Sequence, residues 1–289
     1  MAEIEIGRGK SGRRGFDLTD VTIVPSRRTR DPGDADLSWK IDAYRFAMPL
    51  VGAGTEQALS TDDAVVVGER GGLPLLDLEA LVAESAGRDE VGEQLAKIKA
   101  ADLRVGAAVS PGRAVELLPR AVEAEVDMVA ILGPVVSAEH VSVNNDRVNL
   151  KTFIRSLDVP VMVGGCASYS SALHLMRTGA AGIVVGADRP DLGVGVPLAT
   201  AIADARAARV RHLDETGVYC QLIARGPITS GAQVAAAVAC GADAVMVDAS
   251  VIVGPDPSAE DLADDLREAM AVCGYTNLKD FQKAEVMIG

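Results

Sequence analysis

Aromatic residues, histidine and cysteine are all scarce in this 289-residue chain. Phe, Trp and Tyr together make up 3% of it, and there are three histidines and four cysteines. The cysteines are widely spaced with no CxxC motif, which fits reduced thiols in a cytoplasmic protein. The histidines lie far apart without paired acids, so we predict no metal site.

The chain has fewer basic than acidic residues, and it has no long apolar run. The 41 acidic residues outweigh 28 basic ones and give a net charge of −13. Because such a surface repels nucleic acid and anionic lipid, and no apolar run is long enough to span a membrane, we expect no nucleic-acid or membrane partner. The exception is the basic segment 1–30, which we interpret as docking on acidic neighbours rather than as a binding tail.

What the chain has in quantity is Ala, Val and Gly, in short apolar runs that alternate with helical patterns. Eight such runs occur, at 47–53, 72–77, 103–109, 126–132, 159–165, 181–186, 218–224 and 243–248. Continuous apolar strands are typical of a parallel sheet buried on both faces. Eight strand–helix units predict an α/β fold of the (β/α)8 TIM-barrel type. An open doubly wound sheet is the alternative, but it usually has fewer strands.

The predicted domain organisation is a basic arm and hairpin or plug over 1–46, packed on a barrel over 47–289. Two nucleotide-binding patterns in the arm fail in their context. Gly7, Gly9 and Gly12 spell GxGxxG, but we predict neither a strand before them nor a βαβ unit around them. The "GKS" at 9–11 has Ile4 where a P-loop has its first glycine.

In such a barrel the chemistry lies at the carboxyl ends of the strands. The stretch "IARGPITSG" at 223–231 joins a strand to a helix, where many α/β proteins hold a phosphate. We take Arg225, Asp248 and Cys166 as candidate catalytic residues, although a buried cysteine is usually inert. The candidate ligand-binding residues follow the strand ends: Gly164, Gly165, Gly186, Asp188, Gly226, Thr229, Ser230 and Ser250.

Several stretches together carry a family resemblance. "GFDLTDVTIVPSRRT", "LDVPVMVGGCASYSSALHLMRTGAAGIVVG" and "TSGAQVAAAVACGADAVMV" closely resemble the IMP dehydrogenase/GMP reductase family. The chain looks most like its actinobacterial IMP-dehydrogenase-related subfamily, which lacks the CBS insert. The resemblance implies a tetrameric (β/α)8 barrel whose active members bind a purine nucleoside monophosphate and NAD(P). In those members a cysteine after strand six attacks the purine, and turns after strands seven and eight hold ribose and phosphate.

The sequence departs from that family pattern where the chemistry should be. The loop after strand six, "GADRPDLGVGVP", is short and has no cysteine. Arg225 stands at the family's ribose-binding aspartate, and Pro227 removes an N–H from a turn that works by donating them. Asp248-Ala249-Ser250 stands at the family's Gly-Ser turn, and the long flap that carries the activating base is missing.

Three classes of function fit these departures. The first is a pseudoenzyme with a regulatory or scaffold role, the second an enzyme repurposed for a small anionic metabolite, and the third a residual NAD(P)-linked purine nucleotide oxidoreductase. We expect that the protein does not oxidise IMP. We also expect a homo-oligomer, with a tetramer as the predicted form. For Arg225 we favour an internal ion pair with Asp248 over a free guanidinium that binds a substrate anion.

Overall fold

The computed structural model describes residues 3–54, 59–84, 90–140, 148–254 and 258–289. Eight parallel strands form a closed barrel in which each strand pairs with the next along the chain and the last pairs with the first. They are β1 Leu50–Ala53, β2 Leu73–Asp77, β3 Gly106–Val109, β4 Met128–Leu132, β5 Val161–Cys166, β6 Gly182–Val185, β7 Gln221–Arg225 and β8 Ala244–Asp248. The predicted TIM barrel is confirmed.

The outer layer is helical. It comprises α1 Thr61–Glu69, α2 Leu78–Glu84, α3 Glu90–Ala100, α4 Ala114–Glu123, α5 Leu150–Ile154, α6 Tyr169–Met176, α7 Leu198–Thr216, α8 Gly231–Cys240, α9 Ala249–Val253, α10 Ala259–Val272 and α11 Leu278–Phe281. In the described part of the chain, no helix is long and apolar enough to cross a membrane.

Each strand begins one to three residues later than its apolar run. The reason is that the turns entering the barrel are themselves buried: Met48, Val105 and Cys220 precede their strands yet are hidden from solvent. Apolar character therefore marks burial here and not only strand conformation.

Short antiparallel pairs lie outside the barrel. Glu3–Gly7 pairs with Lys10–Arg13, Val21–Ile23 with Val286–Ile288, and Trp39–Ile41 with Tyr44–Phe46. The third pair closes the amino end of the barrel. Ile41 is fully buried, and a Cβ added to Gly182, the first residue of β6, would lie 3.1 Å from its Cδ1.

Two buried aspartates hold adjacent strands together at the amino end of the barrel. Asp127, just before β4, accepts from the Val105 N–H at 2.9 Å, and Asp243, just before β8, accepts from the Leu222 N–H at 2.8 Å. Asp243 also binds Arg209 at 2.7 Å, and both side chains are almost fully buried. An aspartate thus joins two adjacent strands at two places in the barrel, between β3 and β4 and between β7 and β8.

Candidate functional site

A cavity of about 540 Å³ opens at the carboxyl ends of the strands. We call it the mouth cavity, and it lies where barrel enzymes place their active sites. Its size falls within the range of small-molecule sites. Its lining includes Asp77, Glu79, Ser110, Gly133, Arg225 and Met246.

Arg225, the last residue of β7, extends across one wall of this cavity. Its Nη2 donates to the Gly133 carbonyl oxygen at 2.6 Å and more weakly to that of Gly186 at 3.5 Å. Burial lowers the pKa of the guanidinium, which still stays protonated at neutral pH. Among the described residues, no carboxylate forms an ion pair with it.

The expected ion pair between Arg225 and Asp248 is therefore wrong. The two residues both end their strands, but the register sets Arg225 opposite Met246 and Asp248 opposite Ala53 of β1. Asp248 thus lies two residues further along, a rise of about 6.6 Å. The stagger that closes a barrel separates side chains that look equivalent in the sequence.

Asp248 instead caps α9. Its Oδ1 accepts from the Ser250 N–H at 2.9 Å and from the Ser250 hydroxyl at 2.5 Å. An N–H group at the start of a helix attracts anions. At this helix the anion is a side chain of the protein itself.

The turn after β7 is also satisfied internally. Pro227 has no N–H, and the Ile228 N–H donates to the Gly226 carbonyl at 2.8 Å. The Thr229 N–H donates to Oε1 of Gln233 at 2.9 Å, so the carboxamide of α8 folds back onto the turn. Ser230 completes the arrangement as the N-cap of α8.

The third helix start beside the site is α7. Its first N–H, that of Leu198, donates to Oδ1 of Asp17 at 2.9 Å. The loop before it contains a short hairpin, in which Asp188–Arg189 pairs with Val194–Gly195, and Arg189 binds Asp191 at 2.7 Å. A second cavity of about 410 Å³ lies between this loop and Arg225.

The candidate glycines hold main chains close together. A Cβ on Gly164 would collide with the Val184 carbonyl oxygen, and one on Gly186 with that of Arg225. The Gly165 N–H donates to the Gly133 carbonyl oxygen at 3.2 Å. Their roles in ligand binding stay predictions, but packing alone already requires glycine at these positions.

Cys166 ends β5 and is 2% exposed. Burial raises the pKa of its thiol to about 12, an effect that the nearby Arg225 charge only partly offsets. Its Sγ lies 3.6 Å from the Val184 carbonyl oxygen. At neutral pH it is a thiol, and a thiol is a poor nucleophile.

The opposite side of the mouth cavity is acidic. Asp77 ends β2, and its Oδ1 accepts from the N–H groups of Glu79 and Ala80 at 2.8 and 3.2 Å. Oε1 of Glu79 accepts from the Ser110 N–H, just beyond β3, at 2.7 Å. Each carboxylate is thus oriented by main-chain donors.

The structure brings some predicted residues together and separates others. Arg225 and Gly226 line the mouth cavity, whereas Asp248, Thr229 and Ser230 act in helix caps and turns. Thr55 and Glu56, which follow the first strand, lie outside the described residues. Within the described chain, no group of three or more His, Cys, Asp or Glu side chains could hold a metal.

Three contributors were missed in the sequence: Gln233, Asp17 and Glu79. Gln233 follows Ser230 by three residues, and this S-x-x-Q spacing is a helix-start signature that identifies it. Asp17 acts across 181 residues of chain, a separation that carries no local signal.

The fold and the site define the class of protein: a closed (β/α)8 barrel with a ligand-sized cavity at its carboxyl face. The model of the IMP dehydrogenase / GMP reductase domain matches residues 15–262, and the chain belongs to that family. A crystal structure of an IMP dehydrogenase/GMP reductase-like protein from Corynebacterium glutamicum superimposes with a TM-score of 0.88 at 33% identity. The match covers 99% of this chain and 98% of that one.

Sequence relatives fall into two groups. An uncharacterized oxidoreductase of Mycolicibacterium smegmatis is 36% identical over 373 aligned positions, covering 99% of this chain and all of the relative. Since the chain has 289 residues, at least 84 of those 373 positions are gaps in it. Inosine-5'-monophosphate dehydrogenase of Methanocaldococcus jannaschii is 32% identical over 170 residues, which is 56% of this chain and 32% of that enzyme.

Proposed function

We propose that this protein is a ligand-binding, regulatory member of its family that does not oxidise IMP. The observation that carries the proposal is the internal capping of three helix starts around the mouth. The acceptors are Asp17 at α7, Gln233 at the turn before α8 and Asp248 at α9. At each of these three places, one N–H group that a nucleotide phosphate could use already donates to a side chain of the protein.

Electrostatics works against displacing these acceptors. A phosphate charge placed about 5 Å from a carboxylate in surroundings of intermediate dielectric is repelled by about 3 kcal/mol. Asp17 and Asp248 would each impose such a penalty, and the helix starts would lose their caps. We therefore infer that a purine nucleoside monophosphate does not fit these residues.

The covalent step has no nucleophile to support it. The loop that joins β6 to α7 contains no cysteine. Cys166, at the end of the neighbouring β5, is held as a buried thiol. NAD(P) chemistry in this family acts on a nucleotide that the residues here do not fit, so we derive no hydride transfer at this site.

The gaps in the relatives' alignment support the same proposal. At least 84 aligned positions of the Mycolicibacterium relative have no counterpart here, and the sequence lacks the flap expected from the family. A barrel that keeps its core strands while the chain around them is shortened can retain a binding cavity without the family's chemistry.

The test is an assay of NADH formation from IMP and NAD⁺ at high protein concentration. The IMP dehydrogenase of Haemophilus influenzae, 37% identical over 153 residues, serves as the positive control. We expect no NADH above the protein-free background. Sustained turnover that follows protein concentration and is lost in a Cys166→Ser variant would refute the proposal.

A further inference from the structure

Arg225 is a half-buried cation whose hydrogen-bond acceptors, among the described residues, are all main-chain oxygens. Its described hydrogen bonds use Nη2, and both acceptors are carbonyl groups, those of Gly133 and Gly186. A guanidinium has five N–H donors in a planar fork. A buried charge without a counter-ion is costly, so an anion bound at Nη1 and Nε would stabilise it.

The acidic side of the mouth cavity carries the opposite charge. Glu79 reaches the Ser110 N–H beyond β3, and β3 is four strands from β7 in the eight-stranded ring. Asp77 ends the adjacent strand, β2. The nearby cation Arg113 is engaged elsewhere, since it forks onto Glu116 at 2.8 and 3.0 Å.

We propose that the mouth cavity binds a small zwitterion, with its carboxylate on Arg225 and its amine on the side formed by Asp77 and Glu79. A simple anion would meet the two carboxylates, and a simple cation would meet the guanidinium. A ligand with both charges satisfies both walls. The volume of about 540 Å³ suits a molecule of metabolite size.

This inference goes beyond the proposed function, which concerns the helix starts around the rim. Asp77 and Glu79 line only the mouth cavity and Asp17 and Gln233 only the second cavity, while Arg225 and Gly226 lie between the two and line both. Binding of a zwitterion therefore neither requires nor excludes IMP oxidation.

The test is isothermal titration calorimetry with ω-amino carboxylates from 4-aminobutyrate to 8-aminooctanoate. Each is compared with the carboxylate and the alkylamine of the same length. We expect one length to bind at least about 10-fold more tightly than either matched compound, because each end gains a charge-assisted hydrogen bond. No binding at any length, or equal affinity for the matched carboxylate, would overturn the proposal.

Variants of the cavity lining test which wall binds which end of the zwitterion. Arg225→Gln should weaken the best zwitterion by about 10- to 100-fold and spare the alkylamine. Glu79→Gln, which keeps the acceptor for Ser110, should weaken the zwitterion and spare the carboxylate. Arg189→Gln changes an exposed arginine outside the cavity and should leave all three affinities unchanged. Loss of zwitterion binding in Arg189→Gln, or its retention in Arg225→Gln, would contradict the assignment.

Discussion

Replacing Asp243 with alanine is expected to destabilise the barrel far more than the same change at Asp127. The carboxylate of Asp243 is 2% exposed and accepts hydrogen bonds from Arg209, Lys279, Tyr219, Gln282 and the Leu222 N–H, at 2.6–3.0 Å. Removing it leaves the Arg209 charge buried without a counter-ion. Breaking such a pair from one side costs about 3–5 kcal/mol.

Asp127 is the matched control because it makes the corresponding strand-to-strand bond. Its ion-pair partner Arg104 has a side chain that is 57% exposed, so water can replace the lost carboxylate. The main loss is then the bond to the Val105 N–H, worth about 1–3 kcal/mol. The difference between the two variants should be about 2 kcal/mol.

Equilibrium unfolding in urea measures both changes. With a denaturant slope of about 2–3 kcal/mol/M, Asp243→Ala should lower the midpoint by about 1–2 M. Asp127→Ala should shift it by about half as much. Equal shifts in the two variants would show that burial of the arginine partner does not set the cost, and would refute the reasoning.

Four further predictions follow from individual residues. Burial lowers the pKa of His212, so below about pH 6.5 the unfolded chain binds more protons than the folded one. The free energy of unfolding should therefore fall as the pH falls from there, and His212→Gln should reduce this pH dependence of the urea midpoint. Gly186→Ala should destabilise by about 2 kcal/mol more than Gly179→Ala in the same measurement, because both have positive φ but only the first would meet a neighbouring carbonyl. Cys166 should resist iodoacetamide at pH 8 until the protein unfolds. Rapid labelling of Cys166 itself in the folded protein would contradict its raised pKa. Light scattering at micromolar concentration should give the mass of a homotetramer, and a monomer would refute that expectation.

The barrel was predictable from the sequence because burial on both faces leaves an apolar run at each strand. The sequence does not reveal helices α2, α9 and α11, because their seven, five and four residues are too few to show a helical period. The hydrophobic pattern indicates which segments enter the core, whereas hydrogen-bonded turns decide where a strand begins.

The site was predictable only in part. Both Arg225 and Asp248 were identified from their places after strands, but their separation depends on the barrel register, which no local pattern encodes. The role of Asp17 depends on a contact between distant segments of the chain. Gln233 was accessible through its spacing from Ser230.

Calorimetric titration of the intact protein with IMP tests most directly whether the helix starts of α7, α8 and α9 are closed to a nucleotide phosphate. The internal acceptors Asp17, Gln233 and Asp248 predict no measurable binding at 1 mM IMP, a level about equal to the weakest affinity usually detected. Binding with a Kd in the micromolar range, weakened by added inorganic phosphate, would show that the helix starts accept a nucleotide phosphate and would contradict the account.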